Sequence, residues 1–225
     1  VDCAVISPAR FAGSGLTGAA LRGARHVPAD TLEQRVSAAL GELRAGTPVV
    51  YLYWSEIDHS GHSHGVASDA WIGQIEHFDA GLSTLLRGLP SGVRTVLTAD
   101  HGMINVERAS IIDVAATPAL REGVRVVAGE TRAAHVHAHQ GCAKEVEARW
   151  REVLGESAWV VSRSQMPALI GEGSGASIIG DLLVLSRGRG GVVDSRTQSA
   201  SAIAMPGIHG SVTSTEMRIP VVTLS

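Results

Sequence analysis

Apolar residues follow two rhythms along this chain. Ala4, Val5 and Ile6 make a short unbroken run, which predicts a buried strand over residues 3–7. Leu32, Val36, Leu40 and Leu43 recur at helical spacing behind Asp30-Thr31-Leu32-Glu33, whose Asp30 and Glu33 look like a capping box. Pro48 to Trp54 is apolar throughout, so a strand covered on both faces is expected there, as in parallel sheets sandwiched between helices. Ser68 then caps a long amphipathic helix with Trp71, Ile75, Phe78, Leu82, Leu85 and Leu89 on its apolar face. Val93 to Ala99 reads as a further strand. Strand alternating with helix implies right-handed βαβ crossovers. The fold class predicted is α/β: a doubly wound, mostly parallel sheet with helices on both faces.

From about Ile111 the pattern breaks into shorter pieces. Val124–Ala128 and Ala133–Ala138 read as strands, Val146, Trp150 and Val153 as one side of a helix, and Ala158–Val161 as another strand. Glycine-rich stretches at 171–175 and 188–191 flank an apolar run from Asp181 to Ser186, and Ile219–Leu224 is a last apolar strand returning to the main sheet. The expected organisation is a core sheet part over 1–112, a small α+β cap insert over 113–180, and a return to the core over 181–225.

Composition narrows the class. Of 225 residues, 44% are apolar and 18% charged, with a net charge of −3. No apolar run approaches membrane-spanning length, and charge is neither lopsided enough for a nucleic-acid surface nor high enough for disorder. Neither nucleic acid nor membrane is therefore an expected partner. Cys3 and Cys142 are too far apart to read as a disulfide framework. Lys144 is the single lysine beside 18 arginines, a bias carrying no partner information. The sequence opens Val1-Asp2-Cys3 with a strand already under way, so the expectation is a cut end, the chain being the larger, C-terminal part of a longer one. No signal peptide is readable, and a cytoplasmic location is favoured on that basis.

Candidate chemistry gathers at strand ends. Trp54 to Gly65 holds Asp58-x-x-x-His62 in what reads as a loop that Gly61 and Gly65 let curl back, so that a carboxylate and an imidazole face one point. Asp100-His101-Gly102 follows the next strand, and Gly207-Ile208-His209-Gly210 precedes the last. Open α/β sheets place ligands at such an edge. Mixed Asp and His donors without Cys suit a hydrolytic Zn, Mn or Fe site rather than a structural one. Any one of these loops alone is equally a turn.

Taken together, Asp58-x-x-x-His62, Ala99-Asp100-His101-Gly102-Met103 and Gly207-x-His209-Gly210 resemble the alkaline phosphatase superfamily, in its type I phosphodiesterase/nucleotide pyrophosphatase branch. The resemblance spans residues 3 to 224. It implies two divalent ions, zinc foremost: Asp58, His62 and His209 would hold one, Asp100 and His101 the other. It further implies hydrolysis of a phosphodiester or pyrophosphate, with a nucleotide or other small phosphate ester as substrate. The family's Thr or Ser nucleophile, and one further Asp ligand, precede everything seen here. The 225 residues alone are accordingly expected to be inactive, and the sheet to expose an edge or apolar face where the first strands belonged, or to pair it with a missing N-terminal segment or another chain. A phosphomonoesterase, phosphoglycerate mutase or phosphonate hydrolase of the same superfamily, or a non-catalytic metal-binding module, are the alternatives.

Other motifs carry less. Ser14 and Thr17 lie in Gly13-Ser-Gly-Leu-Thr-Gly18, a weak dinucleotide fingerprint better read as a turn capping a helix. His135, His137 and His139 alternate, which on a strand would put all three on one exposed face of the cap. His59 and His64, beside the first ligand pair, are candidates to touch substrate.

Overall fold

A computed structural model describes residues 1–173, 175 and 178–224. Ser174, in the expected 171–175 loop, lies outside the described residues, as do Ala176, Ser177 and Ser225. Two units are present: Val1–Ser60, Ala67–Thr98 and Pro220–Ser225 form one, Gly61–Val66 and Ala99–Ile219 the other.

In the first unit the strand Cys3–Ser7 lies between Arg25–Pro28 and Val49–Leu52, parallel to both. Its Ala4, Val5 and Ile6 are buried, as their unbroken apolar run requires. The helix Leu32–Arg44 covers one face, Ala39 packing with Ile6, Ala29, Val50 and Leu52. Its capping box starts one residue later than expected: Thr31 accepts from the Gln34 N–H, and the Gln34 side chain accepts from the Thr31 N–H. Glu33 is turned instead toward His77.

Val49–Leu52 is not covered on both faces. Val50 and Leu52 are half-buried against the helix layer, whereas Val49 and Tyr51 are 47% and 44% exposed. An unbroken apolar run expresses a demand for cover without saying whether it is met.

Ser68 caps the helix Asp69–Gly88 by accepting from the Trp71 N–H. Leu85 and Leu89 pack with Leu32, Val36 and Leu40. Two glycines set how close these helices come: a Cβ at Gly88 would lie 2.6 Å from Leu40 Cδ1, and one at Gly81 would run into the Leu32 side chain. Ile75, expected on the apolar face, is exposed, while Trp71 and Phe78 on that face are half-buried. The strand Thr95–Thr98 pairs antiparallel with Val221–Leu224 in a separate ladder, which returns the last strand to this unit.

The second unit carries a four-stranded antiparallel sheet in the order Val124–Glu130, Ala133–Ala138, Leu182–Ser186, Ala158–Ser162. Leu182–Ser186, expected on the return to the core sheet, is thus the third strand here. Helix Ala143–Leu154 buries Val146, Trp150 and Leu154; Leu154 stands inward where Val153 was expected, and Val153 is exposed. Trp150 donates its indole N–H to the Leu120 carbonyl at 3.1 Å, so its polar atom is satisfied within the core. Met166, Ile179 and Val212 pack on the other side, around Leu183 and Leu185. His135 and His137 share that half-buried side rather than an exposed one, and His139 falls beyond the strand. Two short ladders complete the unit: Ile111–Asp113 parallel to Gly191–Val193, and Ile104–Asn105 antiparallel to Gly207–Ile208.

The paired helices give a direct test. Gly41 has nothing within 4 Å of an added Cβ, so Gly41→Ala should stabilise by about 0.5–1 kcal/mol through helix propensity. Gly81→Ala should destabilise by about 1–3 kcal/mol through overpacking on Leu32. Urea unfolding of both variants checks the opposite signs.

Candidate metal centre

Residues Glu56–His64, expected as a loop, form a helix. Its first turn is fixed by a buried guanidinium. Arg35 is fully buried, donates to the carbonyls of Ala29, Asp30 and Tyr53, lies 4.6 Å over the Trp54 ring, and grips both carboxylate oxygens of Glu56 at 3.1 and 3.2 Å. Burial by itself would raise the Glu56 carboxyl, but hydrogen bonds and charge from Arg35 outweigh it and hold the group below its ordinary value. Asp58 and His62 are then one turn apart on a single helix, a spacing that puts both on one face. Gly65, at φ +88°, ends the run.

In the second unit His62 meets Gly207. The Nδ1 of His62 is 2.8 Å from the Gly207 carbonyl; a carbonyl only accepts, so the proton is on Nδ1 and the ring lone pair on Nε2. Glycine is required at 207, because a Cβ there would strike the Gly61 carbonyl oxygen and lie 2.9 Å from Met103 Sδ. Asn105, paired with Gly207 across the ladder, clamps Val66 by accepting from its N–H at 2.7 Å and donating to its carbonyl at 2.9 Å.

Just after this ladder strand, His209 lies face to face with His101, the ring centres 3.5 Å apart and the planes 13° from parallel; the His62 ring centre is 5.2 Å from that of His209. His101 repeats the orientation of His62: its Nδ1 is 3.0 Å from the Gly102 carbonyl, leaving Nε2 as the lone-pair nitrogen, 3.6 Å from an oxygen of Asp100. Imidazoles whose Nδ1–H is fixed on a backbone carbonyl are the ordinary arrangement of metal-ligating histidines. This donor set, oxygen and imidazole nitrogen without thiolate, fits a divalent zinc, manganese or iron ion.

The structure therefore brings His62, His101 and His209 together in the second unit. Asp100 adjoins them with its side chain 75% exposed, and Asp58 stands one turn before His62. His59 and His64 are exposed, at helix positions off the face of Asp58 and His62. Ser14 caps the Gly15–Ala20 helix by accepting from the Thr17 N–H, the structural role expected for that glycine-rich turn.

Sequence reading missed Arg35, Arg132 and Glu216. Arg132 and Glu216 form a fully buried ion pair at 2.6 Å beneath the His101 and His209 loops. Thr213-Ser-Thr-Glu216 has the spacing of a capping box, which was the one available signal. It would have sent the Glu216 side chain to the Thr213 N–H rather than to Arg132.

A profile of the type I phosphodiesterase / nucleotide pyrophosphatase family matches residues 20–211. The chain belongs to this family. No curated protein matched it in sequence. Among solved structures, murine ectonucleotide pyrophosphatase / phosphodiesterase 5 superposes with a TM-score of 0.75 at 18% identity, over 98% of this chain and 59% of that one. The human counterpart gives 0.75 at 16% identity, over 99% and 59%. Phosphonoacetate hydrolase from Sinorhizobium meliloti 1021, solved with phosphonoformate, gives 0.71 at 18% identity, over 98% and 64%. At these identities the likeness is one of fold, and this member of the family spans less than two thirds of their length.

The Arg35–Glu56 pair predicts acid sensitivity. A carboxyl held below its ordinary value, about 4.3, contributes its stability above that pH and loses it as pH falls through the folded value. Glu56→Gln should cost about 1–3 kcal/mol at pH 7 and show a smaller loss than the parent on moving to pH 4. Urea midpoints at both pH values check this; equal losses in parent and variant would refute it.

Proposed function

We propose that this chain is the metal-binding part of a hydrolase that cleaves phosphodiester or pyrophosphate bonds in a nucleotide or other small phosphate ester. The observation that carries the reading is the convergence of His62, His101 and His209 in one unit, two of them with Nδ1 fixed on backbone carbonyls. Family membership over residues 20–211 supports it.

In this reading Asp58, His62 and His209 hold one ion, and Asp100 and His101 hold a second, zinc being the best match to the donors. Bound there, divalent ions supply Lewis-acid stabilisation of the phosphoryl oxygens and a lowered pKa for the attacking group. The protein's share is orientation. His62 donates from Nδ1 to the Gly207 carbonyl and presents Nε2; His101 does the same from the Gly102 carbonyl. The Asp100 carboxylate, 3.6 Å from His101 Nε2, is the oxygen donor beside that ring. A Thr or Ser outside these 225 residues is assigned the nucleophile. Among the described residues no helix is long and apolar enough to cross a membrane.

A phosphonate hydrolase is the second reading, favoured by the fold shared with a phosphonoacetate hydrolase. Assays of the full-length protein on bis-p-nitrophenyl phosphate, p-nitrophenyl phosphate and phosphonoacetate separate diesterase, monoesterase and phosphonatase. The diester is expected to be hydrolysed fastest. EDTA should abolish turnover and added zinc restore it, and His209→Ala should lower kcat/KM at least about 100-fold. Turnover indifferent to EDTA would refute the proposal.

A further inference from the structure

Glu216 touches both loops that carry the stacked imidazoles, through two different parts of the residue. Its backbone carbonyl accepts the Gly102 N–H at 2.7 Å, next to His101. Its carboxylate accepts the Ser211 N–H at 3.0 Å, two residues after His209, and the Thr213 hydroxyl. The same carboxylate is held from behind by Arg132, Nε to Oε1 at 3.0 Å and Nη2 to Oε2 at 2.6 Å. Arg132 in turn donates from Nη1 to the carbonyls of Gly188 and Gly190, so its fork spans the turn of a third segment. Both side chains are out of contact with solvent.

Close packing makes the arrangement stiff. A Cβ at Gly102 would strike the Thr215 carbonyl oxygen and lie 3.3 Å from the Glu216 Cα. The His101 loop thus lies directly on the backbone of the Glu216 turn, with no side chain between them to absorb a shift. On the other arm, the Ser211 hydroxyl donates to the Ser186 carbonyl at 2.6 Å, fixing the His209 loop to the strand Leu182–Ser186. Burying a guanidinium and a carboxylate is costly and often adds nothing to stability over apolar residues of the same size. A pair kept in that position, with its remaining hydrogen-bonding capacity spent on the backbone beside two site histidines, has a geometric use.

We infer that Glu216 is a positioning residue: by accepting the Ser211 N–H while its own carbonyl accepts the Gly102 N–H, it sets the separation and parallel alignment of His209 and His101, with Arg132 fixing the carboxylate. The inference rests on the metal-centre reading for its consequence in function, but its geometry does not require an ion.

Two double variants remove the buried charge pair so that neither charge is left unpaired, and one of them keeps a side-chain acceptor at position 216. Arg132→Met with Glu216→Gln retains an acceptor for the Ser211 N–H; Arg132→Met with Glu216→Leu does not. Metal-free NMR of the imidazole Cε1–H and Cδ2–H resonances reads the stacking directly through ring-current shifts. These should be retained in the Gln variant and lost in the Leu variant, while both variants keep a single cooperative urea transition. Zinc affinity, measured by competition with a chromophoric chelator, should fall about 10–100-fold in the Leu variant and less than about threefold in the Gln variant. Unchanged ring shifts in the Leu variant, or equal loss in both, would overturn the inference. If the ring shifts behave as stated while the parent takes up no zinc, the positioning role stands and the metal-centre reading falls.

Discussion

The candidate centre depends on carboxylates that are held by buried guanidinium groups. A carboxylate hydrogen-bonded at two points by an arginine fork cannot rotate, so whatever its remaining lone pairs accept is fixed as well. Glu216 uses that rigidity on the Ser211 N–H. Glu56 uses it on the Ser55 N–H and the first turn of the Asp58 and His62 helix. Neither guanidinium is a surface ornament: both are fully buried, and both spend their other N–H groups on backbone carbonyls. The desolvation cost of these charges is met by connecting segments that would otherwise be independent loops.

Around these anchors, glycine and backbone carbonyl groups do what side chains could not. Gly102 and Gly207 let main chain pass against main chain, and the carbonyls of Gly102 and Gly207 accept the Nδ1–H of His101 and His62. A ring oriented by a carbonyl two atoms from a strand or turn inherits the precision of the ladder. An imidazole oriented by a mobile side chain would not.

Elements decided by local periodicity were legible in the sequence: the Cys3–Ser7 strand, the helix capped by Ser68, the strands at Val124 and Ala133, and the helix bearing Val146 and Trp150. The motif histidines stood out in the sequence because Asp and His recur together in three segments at what read as strand ends. The helix over Glu56–His64 was not, since Gly61 and a run of His and Ser are poor helix formers; it is held by Arg35, which is 21 residues away from Glu56. Leu182–Ser186 gave a strand without a partner, because an apolar run is compatible with any sheet that covers both its faces. Arg132 was invisible for a related reason: periodicity marks apolar residues as buried and has no symbol for a buried cation. The open side of Val49 and Tyr51 was equally unreadable.

The contacts that orient the imidazoles join segments far apart along the chain. His62 and Gly207 are 145 residues apart, Arg132 and Glu216 are 84 apart, and Asn105 reaches back 39 to Val66. Helices and hairpins close over a few residues and form early, whereas contacts of this span wait for most of the polypeptide to exist. On the ribosome, then, the helix bearing Asp58 and His62 emerges long before the carbonyl that aims His62. Until Gly207 has left the exit tunnel, the His62 ring has no carbonyl to aim it.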